Sequence, residues 1–436
     1  MNRRNFIKSA ALAGMARALV GSGASVLEAA AADRTSDSKT IRNFNPDMRY
    51  RTFGKTGEKV SVLGFGTMRM PIIDNDYGRI DYPQGLTLVG RALDGGLNYI
   101  DTSWPYHSKV QAEGGDSEPF VGECVKRFGR DRFYIATKLP IWAVKSRADM
   151  DKFLDAQLKR LNTDHVDFYL VHNIIGHTWR ELVKHDLTDF LDKALSSGRV
   201  RHIGFSFHDS PELFQEVTDY YDWSFCQHVC NYHDINFQAG MRGIRQAALR
   251  DMGFVAMEAQ MGGMLSAHLP QDALAILNAT GIKRTPAAWA FRWVWNNPEV
   301  SVCISGMNKM EHVEENLQTA KESDIPLTAV ETEALDKVRA LLKSKSDIPC
   351  IECGKCHCPM GVHIMQCFQL YGVDKAFTHV ERIGHANYGL AMKGMPKGAE
   401  NCDSCGRCSG QCPAGIDIPA NLKKVADYFA STKSGW

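Results

Sequence analysis

Eight short apolar runs, separated by amphipathic segments, recur between residues 60 and 307 and constrain the fold more than any other feature. They read VSVLGFGT, LNYIDTS, FYIATKLP, VDFYLVHN, VRHIGFSF, FCQHVCNY, GFVAMEA and VSVCISGM. Their near-continuous apolarity is typical of parallel strands that are covered on both faces. The segments between them are helix-like, several with a Ser, Thr or Asp start and a Gly stop. This eightfold alternation predicts an α/β fold, a closed (β/α)8 TIM barrel.

An open, doubly wound sheet is the main alternative. In nucleotide-binding proteins such a sheet carries a Gly-x-Gly-x-x-Gly turn after its first strand. The sequence GFGTMRM, at the end of the first apolar run, lacks the third glycine. The barrel is therefore favoured, and its chemistry is expected at the carboxyl ends of the strands.

Polar side chains stand at these ends. The second predicted strand ends in Asp101 and leads to Tyr106, the third ends at Lys138, and the fourth ends at His172. We expect the ammonium group to lower the pKa of the phenol and the carboxylate to hold the lysine. The phenol would donate a proton to a carbonyl oxygen that the histidine orients. Singly, each residue has a structural explanation such as packing, but four complementary groups in order favour an acid-base catalytic site.

The stretch GGLNYIDTSWPYH, the lysine of IATKLP and the histidine of YLVHN resemble the aldo-keto reductase family, from about residue 50 to about residue 342. The resemblance implies that Asp101, Tyr106, Lys138 and His172 form that family's catalytic tetrad. It implies hydride transfer between NADP or NAD at the barrel mouth and a small-molecule carbonyl or alcohol substrate. The cofactor contacts that it implies are Gly66, Thr67, Ser206, Gln227, Gly306, Lys309, Glu315 and Asn316.

Three positions depart from the family pattern. Phe207 stands where the family often has an asparagine, and Met257 stands where many members place a tyrosine stacked on nicotinamide. His312 occupies the position of an arginine that commonly holds the 2′-phosphate of NADP. Lys309 offers one charge but cannot make a bidentate contact. The choice between NADP and NAD therefore stays open.

Nine of the 13 cysteines lie between Cys350 and the C-terminus, eight of them in two runs. The second run, Cys402-x-x-Cys405-x-x-Cys408-x-x-x-Cys412-Pro413, matches the bacterial ferredoxin spacing. The first, Cys350-x-x-Cys353-x-x-Cys356-x-Cys358-Pro359, shortens the last gap. Zinc and disulfides are the alternatives, but zinc has no use for a third Cys at the next step, and such close spacing strains a disulfide.

The ferredoxin resemblance implies two 4Fe-4S clusters, because in two-run ferredoxins the fourth cysteine of each run serves the other cluster. One cluster is then assigned to Cys350, Cys353, Cys356 and Cys412, and the other to Cys402, Cys405, Cys408 and Cys358. The shortened gap leaves the fourth ligand of each cluster open, with Cys367 as a further candidate. The region is expected to form a small, helical, ferredoxin-like iron-sulfur domain.

The N-terminus predicts export. A basic start with Arg3-Arg4, a mildly apolar stretch and an Ala-rich end follow one another in the order of a signal peptide. The Arg pair resembles the twin-arginine signal, whose route carries folded, cofactor-loaded proteins to the periplasm. A short N-terminal helix is the alternative. The predicted organisation is a signal segment over 1–32, a linker over 33–49, the barrel over 50–342 and the iron-sulfur domain over 343–436.

Composition limits the partners. The 51 Lys and Arg residues balance the 50 Asp and Glu residues, so no overall field favours nucleic acid, and the N-terminal apolar stretch is too short for an integral membrane protein. We expect a nicotinamide that is bound before export and clusters that exchange electrons with a redox partner protein or carrier. Two rivals remain: a non-catalytic sensor whose clusters are structural, and an electron carrier docked on a scaffold barrel.

The substrate is less constrained. Trp104, His107, His177 and Trp179 lie on loops predicted to rim the barrel mouth. They fit a polyhydroxylated carbonyl or a flat hydrophobic ketone, and ordinary loop packing explains them equally well.

Overall fold

Eight parallel strands close into a barrel in the computed structural model, which describes residues 40–110, 112–377, 388 and 398–430. The strands of the described chain are β1 (Tyr50–Thr52), β2 (Lys59–Ser61), β3 (Leu63–Gly66), β4 (Tyr99–Asp101), β5 (Tyr134–Leu139), β6 (Val166–Ile174), β7 (Val200–Phe207), β8 (Phe225–Val229), β9 (Gly253–Met257) and β10 (Val302–Ser305). β3 to β10 pair in chain order, and β10 closes the ring beside β3, with Cys303 opposite Leu63. The predicted TIM barrel is confirmed.

The antiparallel hairpin of β1 and β2 closes the amino end of the barrel. Phe53, in its turn, is fully buried, and its ring lies 4.8 Å from the ring of Phe168 and 5.2 Å from that of Phe225. These aromatic contacts fill the barrel interior at the end where the strands begin. The carboxyl ends of the strands are left as the mouth.

Helices surround the barrel and continue into the C-terminal region. They are α1 (Tyr82–Asp94), α2 (Ser117–Phe128), α3 (Arg147–Arg160), α4 (Gly176–Leu182), α5 (Leu187–Ser196), α6 (Pro211–Tyr220), α7 (Gly240–Ala248), α8 (Gln271–Asn278), α9 (Pro286–Trp295), α10 (Met310–Ala320), α11 (Ala329–Ser344), α12 (Ile364–Ala376) and α13 (Ile418–Ala430). Short 3-10 turns cover Gly54–Thr56, Thr67–Arg69, Arg130–Arg132, Ile141–Ala143, Val183–His185, Met261–Gly263, Ala399–Asn401 and Ser409–Gln411.

Capping residues explain where several helices begin. The Asp81 carboxylate accepts from the Gln84 N–H at the start of α1, and Thr285 Oγ1 accepts from the Ala288 N–H at the start of α9. Thr328 and Glu331 form a reciprocal capping box at the start of α11. Each cap satisfies an N–H group that would otherwise have no partner in the first turn.

The cysteine-rich region has a hydrophobic core of its own. Ile348, Phe368 and Tyr371 pack there with Ile418 and Leu422 of α13. Five of the cysteines, Cys350, Cys356, Cys358, Cys402 and Cys412, lie partly buried against this core. The region is therefore a folded unit in which α12 and α13 support the two cysteine runs.

This unit is attached to the barrel by polar and apolar contacts. Phe377 joins a core that also contains Leu335 of α11. Lys343 forms an ion pair with Glu352, and the Lys345 ammonium lies 2.6 Å from the Asp272 carboxylate. The cysteine runs consequently sit beside the barrel rather than on a free tail.

The predicted signal segment over 1–32, with Arg3 and Arg4, lies outside the described residues. Within the predicted linker, Ile41 and Met48 are buried, and the Arg42 guanidinium lies 3.1 Å from the Asp167 carboxylate. Residues 41–48 therefore pack against the barrel. In the described part of the chain, every helix is too short or too polar to cross a membrane.

Candidate active site

The four predicted catalytic side chains meet at the barrel mouth. Asp101 is the last residue of β4, Lys138 lies near the end of β5, and His172 lies near the end of β6. Strand register brings these ends together, because Asp101 pairs with Ala136 and Lys138 pairs with Leu170. Tyr106 follows β4 by five residues and turns back over this group.

Lys138 is the centre of the site. Its ammonium nitrogen lies 2.7 Å from Asp101 Oδ1, 2.8 Å from the Thr102 carbonyl oxygen and 3.2 Å from the Tyr106 hydroxyl. The side chains of Lys138 and Asp101 are both 1% exposed. With three oxygens around a buried cation, Lys138 holds the carboxylate and the phenol at fixed positions.

Burial and charge act in opposite directions on the Tyr106 phenol. Burial raises the pKa of Tyr106, and the Lys138 ammonium offsets only part of that increase. Burial alone would lower the pKa of Lys138, but the negative charges of Asp101 and Tyr106 raise it instead. The predicted lowering by the ammonium is therefore present, but burial outweighs it, and the pKa of Tyr106 stays above its ordinary value. Tyr106 keeps its proton, and Lys138 keeps its charge.

His172 is a neutral imidazole in this environment. Burial lowers its pKa well below the usual value, and the positive charge of Lys138 lowers it further. Its Nδ1 lies 3.0 Å from the Ser103 hydroxyl, and its ring packs at 5.2 Å, tilted by 55°, against the indole of Trp142. These two contacts hold the ring beside Tyr106, whose ring centroid is 6.1 Å away.

Ser103 and Trp142 are site residues that the sequence did not predict. Ser103 lies two residues after Asp101, and Trp142 lies in the turn after β5. The DTSWPY motif places Ser103 near the strand end, which was the one available signal. Its contact with His172 joins the ends of β4 and β6, which lie on either side of β5, so it depends on how the strands align rather than on local pattern.

Ser206 and Gln227, both predicted to contact the cofactor, lie near the end of β7 and in the middle of β8. The Ser206 hydroxyl accepts from the Asn173 N–H at 2.7 Å. The Gln227 side chain is buried, and its Oε1 has no partner in the described structure. Its Nε2 lies 3.6 Å from the sulfur of Met257. An unpartnered buried acceptor is costly alone, so this atom fits a donor on a bound group.

The other predicted cofactor contacts divide between two sites. Gly66 and Gly306 lie beside each other where β3 and β10 end. Thr67 is buried, with its hydroxyl 2.9 Å from the Asp101 carbonyl oxygen. Lys309 immediately precedes α10, and Glu315 and Asn316 lie on α10.

Those two residues already have partners. The Asn316 amide donates to the Ser305 hydroxyl at 3.1 Å, and the Glu315 carboxylate accepts from the Thr285 hydroxyl. His312, which stands in the place of the family's arginine, lies on the same helix. The residues predicted to hold the adenine side therefore lie on or next to α10, on a different element from the tetrad residues.

Three of the four residues that were predicted to rim the mouth are instead packed inside the protein. Trp104 is 8% exposed and donates to the Ala112 carbonyl, His107 contacts the Tyr77 carbonyl and the Met70 N–H, and Trp179 donates to Glu216. His177 is exposed on α4. The aromatic residue at the catalytic group is instead Trp142, whose buried Nε1 has no acceptor in the described structure.

The cysteine runs form two groups. Cys350, Cys353, Cys356 and Cys412 line one small cavity, together with Phe368 and Ile416. The thiols of Cys358, Cys402 and Cys405 lie around Cys408. Burial raises the pKa of Cys408. All 13 cysteines are free of disulfides. Among the described residues, no three His, Cys, Asp or Glu side chains stand close enough to hold a metal ion.

The fold and the site together define a TIM-barrel oxidoreductase. The aldo/keto reductase family model matches residues 62–340, and the chain belongs to this family. Similar relatives are a 6-dehydroglucose reductase of Novosphingobium aromaticivorans, 29% identical over 62% of this chain and 90% of its own length, and an L-galactose dehydrogenase of Arabidopsis thaliana, 24% identical over 67% and 94%.

Solved structures agree on the fold. The holo form of an aldo-keto reductase from Bacillus halodurans is 22% identical, with a TM-score of 0.55, over 67% of this chain and 96% of its own. An aldo-keto reductase from Klebsiella pneumoniae, in complex with NADPH, is 24% identical, with a TM-score of 0.53, over 67% and 95%. The matches cover the barrel's share of the chain.

The neutral state of His172 predicts a pH effect on stability. The unfolded chain takes up a proton on this imidazole below about pH 6.5, whereas the folded chain does not, so stability falls as the pH falls. Between pH 7 and pH 5 the free energy of unfolding should drop by up to about 2 kcal/mol more in the wild type than in His172→Gln. Urea unfolding at both pH values measures this difference.

The matched control is His177→Gln, because that side chain is exposed on α4. The control should lose the same stability as the wild type between the two pH values. If His172→Gln loses as much stability between the two pH values as the wild type does, the imidazole is charged in the folded protein and the assignment is wrong.

Proposed function

We propose that this chain transfers hydride between a nicotinamide cofactor, NADP or NAD, and the carbonyl or alcohol group of a small polyhydroxylated substrate. The proposal rests on the contact of Lys138 with both Asp101 and Tyr106 at the barrel mouth. When bound, the nicotinamide supplies or accepts the hydride. A protonated phenol beside a fixed ammonium group is suited to the proton that accompanies this transfer.

Each tetrad residue then has a separate task. In the direction of reduction, the Tyr106 O–H donates its proton to the substrate carbonyl oxygen. Lys138 stabilises the phenolate that results, because its ammonium lies 3.2 Å from that oxygen. Asp101 keeps the ammonium in place, and neutral His172 offers its second ring nitrogen to the same substrate oxygen. In the direction of oxidation, the proton moves in reverse.

The residues around Gln227 fit a nicotinamide carboxamide. The unpartnered Oε1 of Gln227 is a buried acceptor for an amide N–H, and Ser206 stands on the neighbouring strand. Met257 brings a thioether to the same place, which gives a soft contact to a ring. On the adenine side, the absence of an arginine at position 312 weakens the preference for NADP, and Lys309 supplies the nearby charge.

A polyhydroxylated carbonyl is the substrate class that we favour. Two relatives are named for sugar substrates, 6-dehydroglucose and L-galactose. Trp142 supports the same class, since its indole lies against His172 and its buried Nε1–H has no partner in the described chain. An aromatic face with one hydrogen-bond donor suits a ring that carries hydroxyl groups.

Removal of the phenol hydroxyl tests the catalytic role. Tyr106→Phe should lower kcat by about 10²- to 10⁴-fold, the usual contribution of a general acid, with little change in cofactor affinity. Steady-state assays against a panel of aldoses and ketoses, with fluorescence titration of NADPH, measure both quantities. Tyr220→Phe, an exposed tyrosine remote from the mouth, is the matched control. Equal kcat values in Tyr106→Phe and the control would refute the proposal.

We further propose that the cysteine-rich unit binds two 4Fe-4S clusters, which supply single-electron transfer when present. The two cysteine groups in the structure support the two ligand sets, Cys350, Cys353, Cys356, Cys412 and Cys358, Cys402, Cys405, Cys408.

Anaerobic purification tests the cluster proposal. We expect about eight iron and eight sulfide per chain, with the broad visible absorption of such clusters. Cys353→Ser and Cys405→Ser should each lose about half of the iron, and Cys124→Ser, a buried barrel cysteine, should lose none. Cys367→Ser separates the further candidate ligand from the eight assigned ones. Stoichiometric zinc in place of iron would contradict the proposal.

We propose periplasmic export by the twin-arginine route, with the nicotinamide bound before export. Arg3 and Arg4 in the order basic, apolar and Ala-rich support this proposal. Replacing both by lysine should keep the protein in the cytoplasm, whereas Lys8→Arg should leave export intact. Cell fractionation, with mass spectrometry of nucleotide from the periplasmic protein, measures both points. Export of the double-lysine variant would contradict the route, and nucleotide-free periplasmic protein that turns over would contradict the retained cofactor.

A further inference from the structure

A second cleft, of about 550 Å³, lies between the barrel and the cysteine-rich unit. The barrel lines it with residues of the loops after β7 and β8, among them Asp209 and Gln238, and with Arg242 of α7. The cysteine-rich unit contributes residues between Ile351 and Cys358, among them the proposed cluster ligands Cys353, Cys356 and Cys358, and the start of α12. Its volume lies within the usual range for small-molecule sites. The tetrad does not line it, so this cleft is separate from the catalytic mouth.

Three helices begin at this cleft. Ser210 and Pro211 of α6, Ala239 before α7, and His363 and Ile364 of α12 all line it. The first N–H groups of a helix have no partner within it, and the helix dipole adds partial positive charge there. Helix starts that face one space favour an oxygen anion in that space.

Two buried carboxamides point independently to a ligand. Gln369 is 7% exposed, lines the cleft, and both of its amide atoms lack a partner in the described structure. Gln238 is 9% exposed, lines the opposite wall, and its Oε1 also lacks a partner there. Buried polar atoms are rarely left unsatisfied. A ligand that brings both donors and acceptors, such as hydroxyl groups, would satisfy these atoms.

Arg242 is the one arginine or lysine among the described residues that line the cleft. Asp209 accepts from the Gly176 N–H at 2.8 Å and the Ser210 N–H at 2.7 Å, and Glu352 is paired with Lys343. Glu212 occupies the first turn of its own helix. Arg242 is exposed on α7 and forms no ion pair in the described part of the chain. A guanidinium group binds a carboxylate or a phosphate through two parallel hydrogen bonds.

We propose that this cleft binds a hydroxylated small molecule that carries a carboxylate or a phosphate. Arg242 and the starts of α6, α7 and α12 hold the oxyanion, while Gln238 and Gln369 bond the hydroxyl groups. Because both the barrel and the cysteine-rich unit line the cleft, the ligand contacts both and stabilises their association.

Isothermal titration calorimetry on the full chain tests this proposal, with NADP⁺ present at saturation to fill the cofactor site. The probes are glucose 6-phosphate, gluconate, inorganic phosphate and glucose. We expect saturable binding of gluconate, glucose 6-phosphate or both, and none of glucose. Arg242→Ala should weaken that binding by about tenfold or more, the loss expected for a charged hydrogen-bonded contact. Gln369→Leu should weaken it as well.

Arg245→Ala is the matched control, because Arg245 is exposed on the same helix and does not line the cleft. It should bind the probes as the wild type does. Preference for gluconate identifies a carboxylate site, and preference for glucose 6-phosphate with inorganic phosphate identifies a phosphate site. The proposal is overturned if no anion binds saturably, if glucose binds equally well, or if Arg242→Ala binds like the control. Arg242 is exposed, so this test stands even where Gln369→Leu fails to fold.

Discussion

The buried ion pair of Lys138 and Asp101 is the constraint on which the active site depends. A charged lysine inside a barrel is costly unless its hydrogen-bonding groups are satisfied, and here a carboxylate, a carbonyl oxygen and a phenol surround it. Removing Asp101 alone would leave the ammonium uncompensated, at a cost of roughly 3–5 kcal/mol. The geometry of the mouth is thus tied to the stability of the barrel itself.

The balance between burial and charge defines what Lys138 does. Burial raises the pKa of Tyr106 by more than the ammonium lowers it. The phenol therefore stays protonated until a substrate oxygen takes its proton, and only then does a full ion pair with Lys138 form. Such an arrangement stabilises the product of proton transfer more than the resting state, which is the condition for lowering a barrier.

The barrel and three tetrad positions were predictable, because Asp101, Lys138 and His172 end apolar runs and the ends of parallel strands meet at one edge. Tyr106 followed from its motif. The pKa direction of Tyr106 was not predictable, since it depends on how deeply the fold buries the phenol. Trp104 and Trp142 are both aromatic residues in loops after strands, and only tertiary packing puts the second against His172. The cleft beside Arg242 was not predictable, because the two regions that line it are far apart in the sequence.

Spectroscopic titration of the tyrosines tests the central claim most directly, because it needs neither substrate nor clusters in turnover. The difference in tyrosinate absorbance between the wild type and Tyr106→Phe isolates this one phenol as the pH rises. The account predicts no difference below about pH 10, the ordinary pKa of a phenol, because burial outweighs the charge of Lys138. A tyrosinate signal that appears between pH 7 and pH 9 and is lost in Tyr106→Phe would contradict it.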